Sequence, residues 1–210
     1  MSALDLIRKF SAAIQDPNEC SVFCRQPSWY QRHAVVANAC VVAFIKIEQS
    51  EFERHWPAGR DIEPFVKNVQ QTIKPEGWES AIIELPELEQ PPGGEWMALS
   101  TCDECHGSGE VTCDYDHEHE CPECQGSGKV KSLHPLSRRE VLLPGMGKFN
   151  HRYLWAVQQL QPASGFQFMR GPEVTFSIAG GHGYVLGFRF SGGFGAVMPR
   201  GPIEAKEVAV

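Results

Sequence analysis

The chain has 210 residues and a formal net charge of −7, with 42% hydrophobic and 21% charged residues, as in an ordinary globular protein that buries a core. No basic segment followed by an apolar run opens the sequence, and its longest apolar stretch, residues 34–47, is interrupted by Asn38. We therefore expect neither a signal peptide nor a membrane span. Four of the eight cysteines belong to one motif and the others lack the spacing of a disulfide framework, which favours a reducing cytoplasm.

The first third of the sequence predicts a helix followed by a β-hairpin. Apolar side chains recur at helical spacing in residues 6–14, and Ser2 and Asp5 have the spacing of a capping box. Residues 21–47 are rich in β-branched and aromatic residues, with a turn expected near residues 37–39. These features indicate an amino-terminal helix packed on a buried hairpin.

The next segment predicts a second amphipathic helix and two strands. The helix is expected at residues 62–73, where Ile62, Phe65, Val66, Val69 and Ile73 share one face. Residues 80–85 and 95–100 have the composition of strands, and a segment rich in proline and glycine separates them.

The centre of the chain contains a repeated cysteine motif. The octets at residues 102–109 and 121–128 both read C-x-x-C-x-G-x-G. Two C-x-x-C pairs at this separation can surround one zinc ion with four thiolates, so we predict a structural zinc site made by Cys102, Cys105, Cys121 and Cys124. The repeated glycines suit turns with positive φ; they are Gly107, Gly109, Gly126 and Gly128. Two disulfides or a chance repetition are the alternatives, and repetition of the glycines argues against chance.

The segment around the cysteines is strongly acidic. Residues 101–128 contain eight Asp and Glu residues and no Lys or Arg, and four thiolates around Zn²⁺ would add further negative charge. Phosphate contacts require basic side chains, so this segment is a poor candidate for nucleic-acid binding. Four further side chains in this segment are candidates for a second metal site: His106, Cys113, His117 and His119. The alternative is that they are simply polar groups of a solvated loop. Cys113 can also replace one of the four zinc ligands.

The last third predicts a helix followed by an antiparallel meander. Asn150 can cap a helix, whose apolar face contains Tyr153, Leu154, Val157 and Leu160. Three β-runs separated by glycine-rich turns follow, at residues 174–178, 184–190 and 196–198. We therefore expect one α+β domain, formed by residues 1–100 and 131–210, that is interrupted by a zinc module at residues 101–130.

The two octets resemble part of the cysteine-rich zinc domain of DnaJ-type co-chaperones. In that family four such repeats bind two zinc ions and build an extended β-ribbon that contributes to client binding. Here two repeats are present, and the His-Pro-Asp signature of the J-domain is absent, since the only His-Pro pair is His134-Pro135. The resemblance implies a compact β-ribbon with one zinc ion that serves as a protein-interaction or rigidifying element.

The rest of the chain resembles the last domain of bacterial DNA polymerase sliding clamps. The resemblance lies in Phe-Asn-His-Arg-Tyr-Leu at residues 149–154 and Ala-Val-Met-Pro at residues 196–199. It implies a single clamp-like domain with helices packed on an antiparallel sheet, and any ring would require several copies. Clamps line their DNA-facing surface with basic residues on helices, a role that would fall here to Arg8, Lys9 and Arg152. A solvated helix face accounts for these residues equally well, and any other α+β domain with a helix before a meander is the alternative fold.

No catalytic motif accompanies these features. The sequence has no G-x-S-x-G, H-E-x-x-H or P-loop, and a shell of four thiolates leaves no open position on the metal. We therefore predict a non-enzymatic cytoplasmic protein that acts through a protein partner as a clamp-like accessory factor in DNA replication or its regulation, with homo-oligomers and DNA as further candidate partners. The alternatives are a nucleic-acid-binding protein that uses the clamp-like body, and a chaperone-like or thiol-redox module.

Overall fold

The fold is known from a computed structural model that describes residues 2–14, 26–38, 40–57, 77–90, 96–113, 117–177 and 180–203. The helix predicted at residues 62–73 lies outside these ranges, as do Cys20 and Cys24 and part of the turn expected at residues 37–39.

In the described residues, most strands occur in runs between the helices. The helices are α1 (Ala3–Ile14), α2 (Gln49–His55) and α3 (His151–Gln158), with a 3-10 helix at Pro135–Arg138. The strands are β1 (Ser28–Tyr30), β2 (His33–Ala37), β3 (Val41–Lys46), β4 (Glu79–Ala81), β5 (Met97–Thr101), β6 (Glu110–Thr112), β7 (Glu118–Glu120), β8 (Lys129–Leu133), β9 (Glu140–Leu143), β10 (Gly147–Asn150), β11 (Gln167–Thr175), β12 (His182–Phe190) and β13 (Gly193–Val197).

A seven-stranded antiparallel sheet forms the centre of the described structure. Its strand order is β1-β2-β3-β13-β12-β11-β4, so the amino-terminal hairpin pairs with the carboxy-terminal meander through β3 and β13. Separate two-stranded pairs are formed by β5 with β8, β6 with β7, and β9 with β10. The predicted α+β class, with a large antiparallel sheet, is confirmed.

Helix α1 follows from its sequence pattern. The Ser2 hydroxyl donates to the Asp5 carboxylate at 2.8 Å, and the Asp5 N–H donates to the Ser2 hydroxyl at 3.2 Å, which satisfies the start of the helix. The apolar face is buried; its members are Leu6, Ile7, Phe10, Ala13 and Ile14. This face shares a core with α3 and with residues of the central sheet, among them Ala43, Leu186 and Phe188.

Helix α3 begins where the sequence predicts. The Asn150 side chain accepts a hydrogen bond from the Arg152 N–H at 2.9 Å and donates to the Ser137 carbonyl at 2.7 Å. Leu154 and Val157 on the helix are fully buried, as is Leu160 just beyond its end. The cap therefore fixes both the start of the helix and its junction with the preceding 3-10 helix.

Several boundaries differ from the sequence prediction. Strand β11 begins at Gln167 rather than at residue 174, because its first part pairs with both β12 and the edge strand β4 and a bulge separates it from the second part. Strand β4 covers only Glu79–Ala81, and Ile82, which was expected to continue it, is fully exposed. Helix α2 was not predicted.

The paired strands β5 and β8 connect the cysteine segment to the rest of the chain. They are in register from Met97 opposite Leu133 to Thr101 opposite Lys129, so residues 102–128 lie at one end of a two-stranded ribbon. At the other end the buried Trp96 packs against His151 and Trp155 of α3, with ring centroids 5.9 and 5.5 Å apart. Among the described residues, no helix has the length and apolar character needed to cross a lipid bilayer.

Candidate metal centre

Four cysteine sulfurs converge at the end of the ribbon. The Sγ atoms of Cys102 and Cys121 are 3.8 Å apart and those of Cys105 and Cys124 are 3.6 Å apart. All four Sγ atoms lie within 4.8 Å of one another, and all four residues are buried. A tetrahedral zinc site with Zn–S bonds of about 2.3 Å has S···S edges of about 3.8 Å. The predicted convergence of these cysteines is confirmed, and their geometry fits one zinc ion.

The spacing between sulfurs does not fit the disulfide alternative. Bonded sulfurs lie about 2.05 Å apart, whereas the pairs here are separated by 3.6 and 3.8 Å. The two C-x-x-C pairs instead contribute two sulfurs each to a common shell.

Each octet holds its second cysteine with the same local hydrogen bonds. The Gly109 N–H donates to Cys105 Sγ at 3.3 Å, and the Gly128 N–H donates to Cys124 Sγ at 3.2 Å. Such donors favour the ionised sulfur that a metal requires. The tight turn after the second cysteine therefore also prepares the ligand.

A serine in each octet closes the turn. The Ser108 hydroxyl oxygen lies 2.8 Å from the carbonyl oxygens of both Cys105 and Glu110, and its single proton is shared between these two acceptors. Ser127 is placed in the same way, with its hydroxyl oxygen 2.7 Å from the carbonyl oxygen of Cys124 and 2.8 Å from that of Lys129. Sequence reasoning missed these serines, although their repetition at the same position of both octets was the available signal.

The octets are also bonded to each other in a reciprocal way. The Cys102 N–H donates to the Gly128 carbonyl at 3.0 Å, and the Cys121 N–H donates to the Gly109 carbonyl at 2.8 Å. Because each octet gives and receives the same hydrogen bond, the pair has approximate twofold symmetry. Neither octet completes its own backbone hydrogen bonding without the other.

Glycine is required where the two octets meet. Gly109 and Gly128 have φ of +85° and +67°, in the left-handed region. A Cβ on Gly109 would lie closer than 3.0 Å to the Gly126 carbonyl oxygen, and one on Gly128 would meet the Gly107 carbonyl oxygen in the same way. Gly107 and Gly126 also have positive φ, so all four glycines take a backbone conformation that glycine adopts most readily.

The thiols differ in acidity. Burial raises the pKa of Cys105, but the backbone N–H groups of Gly109 and Gly107 outweigh it and bring the pKa to about 6. For Cys102 the Cys105 N–H lowers the pKa, but burial and the adjacent Cys105 sulfur raise it to about 11. Burial also raises the pKa of Cys124. Four adjacent thiolates repel one another, and a divalent ion supplies the positive charge that allows all four to ionise.

The predicted nucleic-acid contacts are not brought together. Arg8 and Lys9 are exposed on α1, and Arg8 Nη2 lies 3.4 Å from His55 Nδ1. Arg152 is only 2% exposed; its guanidinium lies over the Tyr153 ring and donates to the Tyr153 hydroxyl at 3.2 Å. The expectation that Arg152 contacts DNA is corrected by this placement, because a guanidinium inside the fold cannot reach a phosphate.

The other metal-binding candidates separate into two groups. Donor atoms of Cys113, His117 and His119 lie within 4.8 Å of one another, whereas His106 belongs to neither this group nor the four-cysteine cluster. Cys113 is likewise not part of the four-cysteine cluster, so it does not take the place of a ligand there.

Comparisons with known proteins returned no relatives. No protein-family model matches the chain, and no curated protein and no solved structure matches it. A functional proposal for this chain therefore depends on the geometry and chemistry of its own residues.

Proposed function

We propose that the chain is a non-enzymatic zinc protein of a reducing compartment such as the cytoplasm, and that it acts through protein contacts. The observation that supports this most directly is the closed arrangement of Cys102, Cys105, Cys121 and Cys124, with sulfurs 3.6 and 3.8 Å apart across the two octets. Four cysteine ligands fill a tetrahedral shell and leave no position for a substrate or an activated water, so the ion has a structural role. As in the sequence analysis, residues 101–130 are called the zinc module.

The zinc module has few other sources of stability. Apart from the cysteines, the apolar side chains that pack in its cluster are the partly buried Val111 and Val130. Structural zinc contributes about 10–16 kcal/mol of folding free energy in small zinc-finger peptides at neutral pH. Zinc therefore supplies most of the stability of this segment and holds it as a rigid projection.

Charge favours a protein partner over nucleic acid at the module. Asp103, Glu104 and Glu123 line a surface depression of about 290 Å³ together with Pro122 and Val130. This combination of carboxylates and apolar carbon repels phosphate and suits a basic or amphipathic protein segment. In this respect the module would act as the DnaJ-type repeats suggest, as a contact surface.

We call the rest of the chain, residues 1–100 and 131–210, the body. For the body we propose a clamp-like domain that serves in DNA replication or its regulation. Helices α1 and α3 pack together against an antiparallel sheet, which is the layer arrangement that the clamp resemblance implies. A ring that surrounds DNA would require several copies, so the proposal includes a homo-oligomer. Arg8 and Lys9, exposed on α1, are the remaining candidate phosphate contacts.

The experiment is a comparison of the full chain with a variant that lacks residues 102–128 of the zinc module. Thr101 pairs with Lys129, so a two-residue Asn-Gly turn can join them and keep the β5–β8 register. The zinc-loaded chain is expected to retain a protein partner that the shortened variant loses, while both show the same unfolding transition for the body. Equal retention by both proteins would refute the role of the module.

Solution mass and DNA binding test the body. A ring-sized oligomer supports the clamp-like proposal, and a monomer at physiological concentration contradicts it. In the alternative function the body binds nucleic acid directly, and its affinity then falls steeply as salt rises. Absence of binding to single- and double-stranded DNA at low salt would eliminate that alternative.

A further inference from the structure

The hairpin between the two octets contains a second group of metal-binding side chains. Strands β6 and β7 pair with Val111 opposite His119 and Thr112 opposite Glu118. The Cys113 N–H donates to the His117 carbonyl at 3.0 Å, which extends this register by one pair. Residues two apart on a strand point to the same face, so Cys113, His117 and His119 share one face of the hairpin.

The donor atoms are close enough to share one ion. One thiol sulfur and two imidazole nitrogens, one from each residue, lie within 4.8 Å of one another. Around a tetrahedral zinc ion the corresponding S···N and N···N separations are about 3.3–3.6 Å. His117 and His119 are exposed and Cys113 is partly buried, so rotation of the side chains can bring the donor atoms to these separations.

The donor types select the class of metal. Imidazole and thiolate suit zinc and neighbouring first-row divalent ions, whereas magnesium and calcium prefer carboxylate and carbonyl oxygen. The cluster differs from the four-cysteine site in two respects: it has three protein ligands instead of four, and its histidines face solvent. A tetrahedral ion held by three side chains keeps its fourth position for water or an incoming ligand.

We propose that Cys113, His117 and His119 form a second divalent transition-metal site that is open and exchangeable and is distinct from the closed four-cysteine site. Zinc bound here has one exchangeable coordination position. The side chains of the two sites do not overlap, so loss of the second site leaves the first intact.

The test is the metal content of the full-length protein. Zinc-loaded wild type, after removal of loosely held ion on a desalting column in low zinc, is expected to carry one tightly held equivalent. Equilibrium dialysis against micromolar zinc is expected to add a second equivalent. In Cys113→Ser and in His119→Gln this second equivalent is lost and the first is retained. His106→Asn is the matched control, because it removes an exposed histidine of the same module that lies outside the cluster, and it is expected to keep both equivalents.

Cobalt distinguishes the two sites by their ligands. A Co²⁺ titration is expected to show strong sulfur-to-metal charge transfer from the four-thiolate site first, followed by weaker bands from a site with one sulfur. Two further single variants, Cys102→Ser and Cys121→Ser, are each expected to lose the charge-transfer bands of the four-thiolate site. They show what failure of the four-cysteine site looks like, so that it can be distinguished from failure of the second site. The proposal is overturned if wild type takes up a single equivalent, if Cys113→Ser and His119→Gln bind as wild type does, or if Cys113→Ser loses the tight equivalent instead.

Discussion

Substitution of Gly109 by alanine tests the reciprocal packing of the two octets. The new Cβ would lie closer than 3.0 Å to the Gly126 carbonyl oxygen and would also meet two other backbone atoms of Gly126. Backbone atoms can move only if the second octet shifts, and that octet carries the Cys121 N–H that donates to the Gly109 carbonyl at 2.8 Å. The substitution therefore disturbs both halves of the metal site.

A matched control separates this clash from backbone strain. Gly126 also has positive φ, +74° against +85° for Gly109, but its added Cβ would meet the Glu120 carboxylate oxygen at 2.6 Å. Glu120 is an exposed side chain that can rotate away. Gly126→Ala thus bears the strain of a left-handed alanine, about 1–2 kcal/mol, without a clash between backbone atoms.

The expected difference follows from these two costs. Gly109→Ala adds an overpacking penalty of about 1–3 kcal/mol to the same strain. If the module folds only with its metal, this penalty appears in the zinc affinity, which falls a further 5- to 150-fold or so relative to Gly126→Ala. Competition against a chromophoric chelator of known zinc affinity measures both variants. Equal affinities for the two variants would show that the octets are not held together by this contact.

Three further predictions concern the module and the body. Zinc chelation at neutral pH is expected to remove amide protection from residues 101–128 while the body stays folded, because the module has little apolar core. Hydrogen exchange measures this protection. Protection that survives complete zinc removal would contradict the prediction. Asn150→Ala removes a helix cap and a buried hydrogen-bond donor, so the free energy of unfolding is expected to fall by about 2–4 kcal/mol in denaturant titrations. Asn150→Asp keeps the cap acceptor but places a buried carboxylate oxygen against the Ser137 carbonyl, so it should not restore the stability; an aspartate variant as stable as wild type would contradict this reasoning. The Ser2 hydroxyl and N–H lower the pKa of Asp5, so this carboxylate stabilises the fold at pH above about 4 and the contribution disappears as the pH falls through the lowered pKa. Ser2→Ala removes the hydroxyl, the larger of these two causes, and keeps the N–H, so it should reduce that part of the pH dependence of stability; an unchanged acid limb would argue against it.

Features with a local cause were predictable from the sequence. The buried face of α1 follows from helical spacing, and the start of α3 follows from an asparagine placed before an apolar helix face. The convergence of the four cysteines and the positive φ of their glycines also followed from the sequence, because metal geometry restricts the spacing of ligands and tight turns require particular residues.

Features that depend on distant parts of the chain were not predictable. The early start of β11 depends on pairing with β4, which lies more than 80 residues earlier in the sequence. Arg152 has the sequence context of a solvent-facing helix residue, yet it is buried beside Tyr153. Cys113, His117 and His119 were among four candidates for a second metal, and the β6–β7 register was needed to separate these three, which share one face, from His106.

The reciprocal bonding of the octets has a consequence for assembly. Each octet behaves as one subunit of a dimer whose two copies happen to be covalently connected, since each supplies half of the ligands and one of the two exchanged backbone hydrogen bonds. The same shell can therefore be completed by octets from two different chains, as in domain swapping. At high protein concentration, refolding from the zinc-free state is therefore expected to yield zinc-bridged dimers, whose exchange back to monomers would require release of the metal.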